Sequence, residues 1–298
     1  NGSDDGSIAL LESEFPKIPV ITLDRNYGYA QGYNLALSQL EADYFILLNS
    51  DVETTSGWVD PLIAALDRDP ELMAVAPKIR AFTDKNYFEY AGASGGFIDI
   101  FGYPFCRGRI LSSVEKDEGQ YDTERYVFWA SGACMACRKE LFTEVGGFDG
   151  DFFAHMEEID LCWRAQLYGY RIGVVPSSVV YHLGGGTLPN NSPFKIYLNY
   201  RNSLRMLYKN LSRTNFLIIL PFRMVLDGMS AVVFLLQGRL DFVKKIWRAH
   251  GDFFSGRRLL KAKRHDVQKR ATAKPHGVYF GSIVLRYFLW SKRFRNIL

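Results

Sequence analysis

The chain has 298 residues, 48% hydrophobic and 23% charged, with a mean hydropathy of −0.09, which excludes a disordered, collagenous or mostly membrane-embedded protein. Its four cysteines, Cys106, Cys134, Cys137 and Cys162, are too few for a disulfide scaffold and suit a reducing compartment. The net charge of +4 conceals a division: residues 239–298 hold 16 Lys and Arg against 3 Asp and Glu, whereas the rest holds 20 against 29.

Residues 1–7, Asn-Gly-Ser-Asp-Asp-Gly-Ser, are turn formers that read by themselves as a frayed terminus or a linker. No charged stretch followed by an apolar one opens the sequence, and its first residue is not Met, so a piece of a longer chain is expected. Short apolar runs at 18–23, 44–48 and 73–76 predict strands. Between them, 30–40 carries Leu35, Ala36 and Leu40 at helical spacing, and 58–66 carries Leu62, Ala65 and Leu66. This βαβ rhythm predicts an α/β fold with a mostly parallel sheet flanked by helices. Residues 126–138 read as a strand and 139–145 as a short helix ended by Gly146 and Gly147. Residues 157–168 read as a helix stopped by Gly169, and 170–175 and 178–182 as closing strands.

The turn-rich stretch from Gly184 to Pro193 suggests a movable lid or a domain boundary, dividing a core of residues 1–190 from a helical, basic region of 191–298. Residues 194–211 form a basic amphipathic segment. The apolar segment 216–237 is interrupted by Pro221, Arg223 and Asp227, and its charge-free runs fall short of the roughly 20 residues that a spanning helix needs. Basic and aromatic residues follow, among them Trp247, Arg248, Phe254, Tyr287 and Trp290, and predict attachment in the plane of a membrane. Packing of these faces on the core or on another subunit is the alternative. No RNA- or DNA-binding module accompanies the basic tail, so no nucleic-acid partner is expected.

Asn49, Asp51 and Glu53 follow the strand at 44–48, at the carboxyl edge where α/β sheets bind ligands. Asp51 there suits a divalent cation on a diphosphate, although Asp and Asn also serve as plain turn residues after strands. Glu157, Glu158 and Asp160 open a helix, where carboxylates suit the positive dipole end; three within four positions exceed what capping uses, leaving one able to accept a hydroxyl proton. His182 ends the last strand and is a candidate metal ligand or a satisfied loop histidine. Cys134 and Cys137 have half of a zinc pattern without a second pair and read as buried strand residues.

The order of 1–7, then Asn26-Tyr27-Gly28-Tyr29-Ala30-Gln31-Gly32-Tyr33-Asn34, Asn49-Ser50-Asp51-Val52-Glu53, Ser131-Gly132-Ala133, Gly147-Phe148-Asp149, 157–164 and Tyr181-His182 resembles family 2 glycosyltransferases of the GT-A fold, especially their rhamnosyltransferase-like bacterial branch. The match covers about residues 1–210. It implies an inverting transferase that moves a sugar, rhamnose foremost, from a dTDP or UDP donor to a hydroxyl of a lipid-linked or cell-surface glycan. The enzyme would sit peripherally at the cytoplasmic face of the plasma membrane. By position, Glu158 is the implied catalytic base, with Asp160 the weaker candidate. Asp51 and His182 are the implied ligands of Mg2+ or Mn2+. Asn1, Ser3, Asn26, Gly28, Asn34, Asn49 and Asp51 are assigned to the donor, with Asn49 standing where the family's Asp-x-Asp pattern begins. Trp129, Ser131, Gly132, Glu157 and Asp160 are assigned to the acceptor side. The family also has a strand, a helix and a second strand ahead of the position of Asn1, so a compromised nucleotide pocket is expected of this sequence alone. A catalytically silent relative that binds glycan or membrane is the alternative.

Overall fold

In the computed structural model, which describes residues 1–184, 192–294 and 297, the chain begins with helices α1 (Ser7–Glu14) and α2 (Gly28–Leu37). Strands β1 (Tyr44–Leu48) and β2 (Val52–Thr54), helix α3 (Val59–Arg68) and the long strand β3 (Leu72–Ala81) follow. Short strands come next: β4 (Gly96–Asp99), β5 (Pro104–Cys106), β6 (Arg109–Ile110), β7 (Ser113–Val114) and β8 (Arg125–Tyr126). Strand β9 (Cys134–Arg138), helices α4 (Lys139–Val145) and α5 (Glu157–Leu167), and strand β10 (Arg171–His182) close the front part. Helices α6 (Pro193–Asn210), α7 (Arg213–Leu236), α8 (Leu240–Gly256) and α9 (Leu260–Arg270) precede β11 (Val278–Tyr279) and α10 (Ile283–Leu289). Residues 185–191, where the lid is expected, lie outside the described residues.

The α/β class holds, but the main sheet is mixed rather than mostly parallel. Its order is β1-β9-β3-β10-β2, with β8 also on β10. Only β3 and β10 run parallel; β9 enters between β1 and β3 antiparallel to both. The expected strand at 18–23 does not form. Val20 and Ile18 are exposed there, and an apolar run without a sheet partner has no pairing to hold it as a strand. In place of the two strands expected at 170–175 and 178–182, Arg171–His182 form one strand with an irregularity between Val175 and Val179. The expected strand at 126–138 splits into β8 and β9 around the turn that carries Ser131 and Gly132.

Residues 82–125, for which the sequence carried no expectation, supply a second sheet ordered β11-β4-β5-β6-β7. The tail is therefore not wholly helical: β11 returns to lie parallel to β4. One core runs through both parts, with Phe97, Phe105, Phe128 and Phe152 essentially inaccessible and Phe253, Ile283 and Phe294 of the tail packed into the same cluster. Burial of each such side chain contributes about 1.5–3 kcal/mol.

Helix α7 is long and apolar enough to cross a membrane by length and composition, and its two interior charges, Arg223 and Asp227, lie on the face that packs on protein. Arg223 bonds Asp227 (Nε–Oδ1 2.8 Å), the Ser203 hydroxyl (2.7 Å) and the Phe101 carbonyl (3.0 Å). Asp227 also accepts from Tyr103 Oη at 2.7 Å and meets His250 Nε2 at 3.0 Å. Helices α6 and α8 and the turn after β4 thus meet α7 on a satisfied ionic cluster.

Candidate active site

Where β1 ends, the Asn49 N–H donates to the Ala133 carbonyl at 3.0 Å, which sets the turn 49–51 beside the turn 131–133. The Asp51 carbonyl accepts from the Leu183 N–H at 3.0 Å, so Asp51 lies against the end of β10. There His182 Nε2 is 3.2 Å from Asp51 Oδ1, and Nδ1 is 3.2 Å from Glu89 Oε2. Burial works to lower the pKa of His182, but the Glu89 and Asp51 carboxylates outweigh it and raise it above the ordinary histidine range.

Asp51 and His182 converge as a hard oxygen donor and a borderline nitrogen donor, a set that suits Mn2+ or Mg2+. Among the described residues no three His, Cys, Asp or Glu side chains form a group that could hold a metal ion. Asp51 and His182 thus supply two of the donors that such an ion would need.

The second half of the site is the start of α5. Phe153, His155 and Met156 have φ of 67°, 67° and 71°, positive values that non-glycine residues adopt only under constraint. The constraint comes from α6 and α2. Asn202 Nδ2 reaches the carbonyls of Phe152, Ala154 and His155 at 2.9, 2.9 and 2.8 Å, and Arg201 Nη2 reaches Phe152 at 3.1 Å. On the other side, the Ala30 N–H donates to the Phe153 carbonyl at 3.2 Å. Gly28 makes this approach possible: a Cβ there would lie 2.5 Å from that carbonyl oxygen.

The loop delivers Glu157 and Glu158 to the first turn of α5, each with a buried Oε2 that has no hydrogen-bond partner, next to His155 whose Nε2 is likewise unpartnered. Burial raises Glu158 to about 7 against the pull of the backbone N–H groups of Glu158 and Ile159. Glu157 is pushed well above the carboxylate range by burial and by its neighbour Glu158. Burial and the nearby Lys195 hold His155 down at about 4. The Glu89 charge acts on Lys195 in turn, which places this α6 residue within electrostatic reach of both halves of the site. Cys106 likewise feels both Glu89 and Glu158.

The other sequence candidates divide. Asn1 Oδ1 accepts from the Tyr27 N–H (2.9 Å), and its Nδ2 donates to the Gly28 carbonyl (3.0 Å), while Asn26 Oδ1 accepts from the Gly28 N–H (2.8 Å). These residues shape the entrance to α2, and Asn1 and Ser3 line a cleft of about 420 Å3 bounded by Leu11 and residues 20–24. Another hollow of about 350 Å3, between Phe97, Arg125 and His276, holds none of the candidates.

Four candidates are turned inward. Asn34 spends its amide on the backbone of Phe148 (2.7 and 3.0 Å), so it braces the fold where a donor contact was expected. Trp129 is 3% exposed with its indole N–H on the Phe97 carbonyl at 2.9 Å, and Ser131 is held by the Ala91 carbonyl at 2.9 Å, so neither faces an acceptor. Asp160 is fully buried on Arg164 (2.9 Å), Lys209 (2.9 Å) and Asn210 (2.9 Å), which removes it as a base. Gly132 remains at the site through its carbonyl, which accepts from Tyr29 Oη at 2.7 Å, and the pKa of Tyr29 is raised by burial and by the charges of Tyr33, Glu157 and Glu158.

Sequence reasoning missed Glu89, Lys195, Tyr29 and Asn202. Only Asn202 left a signal, a polar residue one helical turn from Leu198 on the buried face of α6.

The sequence matches the profile of Glycosyl transferase family 2 over residues 1–146 and of Glycosyl transferase family group 2 over residues 113–238. The chain belongs to glycosyltransferase family 2. This family 2 chain is 31% identical over 200 residues to the N-acetylglucosaminyl-diphospho-decaprenol L-rhamnosyltransferase of Mycobacterium tuberculosis, covering 61% of this chain and 64% of that protein. It is 22% identical over 250 residues to the dTDP-rhamnosyl transferase RfbF of Shigella flexneri, covering 78% and 77%. The chain thus spans just under two thirds of the length of the mycobacterial relative. Among solved structures, Staphylococcus aureus TarS aligns with a TM-score of 0.51 at 17% identity over 89% of this chain and 45% of its own. GalNAc-T7 with UDP, GalNAc and Mn2+ aligns at 0.50 and 16% over 69% and 39%. Both support the GT-A fold.

Proposed function

We propose that the chain transfers a sugar, rhamnose foremost, with inversion from a dTDP or UDP donor to a hydroxyl of a lipid-linked or cell-surface glycan at the cytoplasmic face of the plasma membrane. The rhamnosyl donors and the diphospho-decaprenol acceptor in the relatives' names support the substrate classes. The observation that carries the reaction is Glu158: a buried carboxyl with a free oxygen, a pKa near 7 and a backbone held in place by α2 and α6. In its ionised form it accepts the proton of the acceptor hydroxyl. The hydroxyl oxygen then bonds to the anomeric carbon as the bond from that carbon to the diphosphate oxygen breaks, and the electron pair leaves with the nucleoside diphosphate. Such a single displacement inverts the anomeric centre. Asp51 and His182 would hold a Mg2+ or Mn2+, which when bound would supply positive charge against the departing diphosphate. Burial and the neighbouring Glu158 push Glu157 well above the carboxylate range, which favours a neutral Glu157 beside an ionised Glu158.

The test is kinetic. Glu158→Gln abolishes turnover and leaves donor binding intact, whereas Asp51→Ala weakens Mn2+-dependent donor binding; the reverse pattern overturns the assignment. Below about pH 7, kcat of the unsubstituted enzyme falls about tenfold per pH unit as Glu158 is protonated.

A further inference from the structure

We infer that α7 is a docking element that lies flat on an anionic phospholipid surface, with its apolar stripe in the lipid and the basic tail on the headgroups. This goes beyond sugar transfer and does not depend on it. The helix buries Phe216, Arg223, Leu226 and Asp227 and turns the opposite face outward. Ile218, Phe222, Val225, Met229, Val232 and Leu236 follow one another at three- and four-residue spacing along that face, all more than half exposed. A 24-residue helix is about 36 Å long, so the stripe is far longer than the scattered apolar residues of an ordinary surface.

The stripe continues sideways. The turn between β4 and β5 touches α7 through the Phe101 and Phe222 rings, 6.2 Å apart, and touches the tail through Ile100 N–H on the Tyr279 carbonyl at 3.2 Å. Just beyond, Phe280, Phe288, Leu289 and Trp290 are 88%, 71%, 65% and 77% exposed. Charge selects the occupant. Arg213 at the start of α7, Lys244 and Arg248 of α8, and Arg257, Arg258 and Lys261 after it are all exposed. The segment from residue 239 onward carries an excess of 13 positive charges. Two such tails brought face to face repel each other, whereas anionic headgroups attract them. The orientation follows from Arg223, Asp227 and His250: their cluster ties the inner face of α7 to α6 and α8, and a helix crossing the bilayer would have to break it.

The experiment is sedimentation of the full chain with vesicles of phosphatidylethanolamine and phosphatidylglycerol, beside vesicles of phosphatidylcholine alone. Binding is expected to the first and to be at least about tenfold weaker on the second. It is expected to fall at least about tenfold in Val225→Asp/Met229→Asp, whose melting temperature is unchanged because both positions face outward. Lys244→Glu/Arg248→Glu weakens binding less and removes part of its salt dependence. Alkaline carbonate releases the bound protein. No binding to either vesicle, equal binding to both, or undiminished binding of Val225→Asp/Met229→Asp overturns the inference. So does resistance to carbonate, or a soluble dimer that the same substitutions dissociate. Lipid binding is read without any donor, so its failure and a failure of the transfer reaction are separate results.

Discussion

Two buried polar clusters meet at α6, and they are built in opposite ways. Around Lys209, fully enclosed, the charges are paired: its ammonium holds Asp149 and Asp160, while Arg164 and Asn210 complete the Asp160 carboxylate. Burial works to raise the pKa of Asp149, but Lys209 and Lys263 outweigh it and keep it below the carboxylate range. Some residues along α5, Glu157 and Glu158 keep buried oxygens without partners, His155 an unpartnered nitrogen, and the backbone before them is strained. The charges around Lys209 are paired, although Asn210 Oδ1 lacks a partner there, whereas at Glu157 and Glu158 carboxylate oxygens are left without partners, at a cost in stability, where the chemistry is proposed.

The largest effect that can break this contrast is removal of Lys209. Lys209→Ala leaves Asp149 and Asp160 buried without their shared cation and should destabilise the chain by about 3–5 kcal/mol, read from denaturant melts. A loss below about 1 kcal/mol would mean that water enters the cluster and that it is not a fastener. Next in size is Asn202→Ala, which frees three loop carbonyls and should cost about 3 kcal/mol. If Asn202 positions Glu158, kcat falls with little change in donor KM, and Asn202→Gln fails to restore it because the longer side chain cannot reach all three carbonyls. A purely structural role would lower stability and leave the activity per folded molecule unchanged.

The contrast also explains which parts could be read in advance. The helix at 139–145 and the start of α5 carry their own stop and start residues, and the structure has them at those bounds. The positions of Asp51, Glu158 and His182 in the fold were legible because those signals are local: a carboxylate after a strand, acidic residues at a helix start, a histidine at a strand end. Pairing was not legible. Nothing in residues 44–48 announces that β9, some ninety residues later, will lie antiparallel beside them, and strands of two to four residues in 82–125 are too short for a period to show. Nor does a run of acids by itself say which one is held by partners; the resemblance ranked Asp160 below Glu158, and the partners that enclose it, Lys209 and Asn210, come from α6. The charges in α7 were visible in the sequence, but their partners on Tyr103, Ser203 and His250 come from distant segments.

The smallest effect has the opposite sign, which makes it the sharpest test. The Glu158 carboxyl titrates near 7 in the fold and at about 4.3 in the unfolded chain. Between those values the unfolded state gives up its proton first, so the contribution of this group is fully present below about pH 4 and is lost as pH rises to 7. Above pH 7 the ionised Glu158 therefore burdens the fold. Glu158→Gln, neutral at every pH, should stabilise the chain by roughly 1–3 kcal/mol at pH 8 and by almost nothing at pH 4, while abolishing turnover. The same substitution at Asp160, where the carboxylate is paired, should destabilise at both pH 6 and pH 8. If Glu158→Gln destabilises at pH 8, its free oxygen has a partner in solution, and the distinction between a satisfied and an unsatisfied cluster fails at the residue on which it rests most.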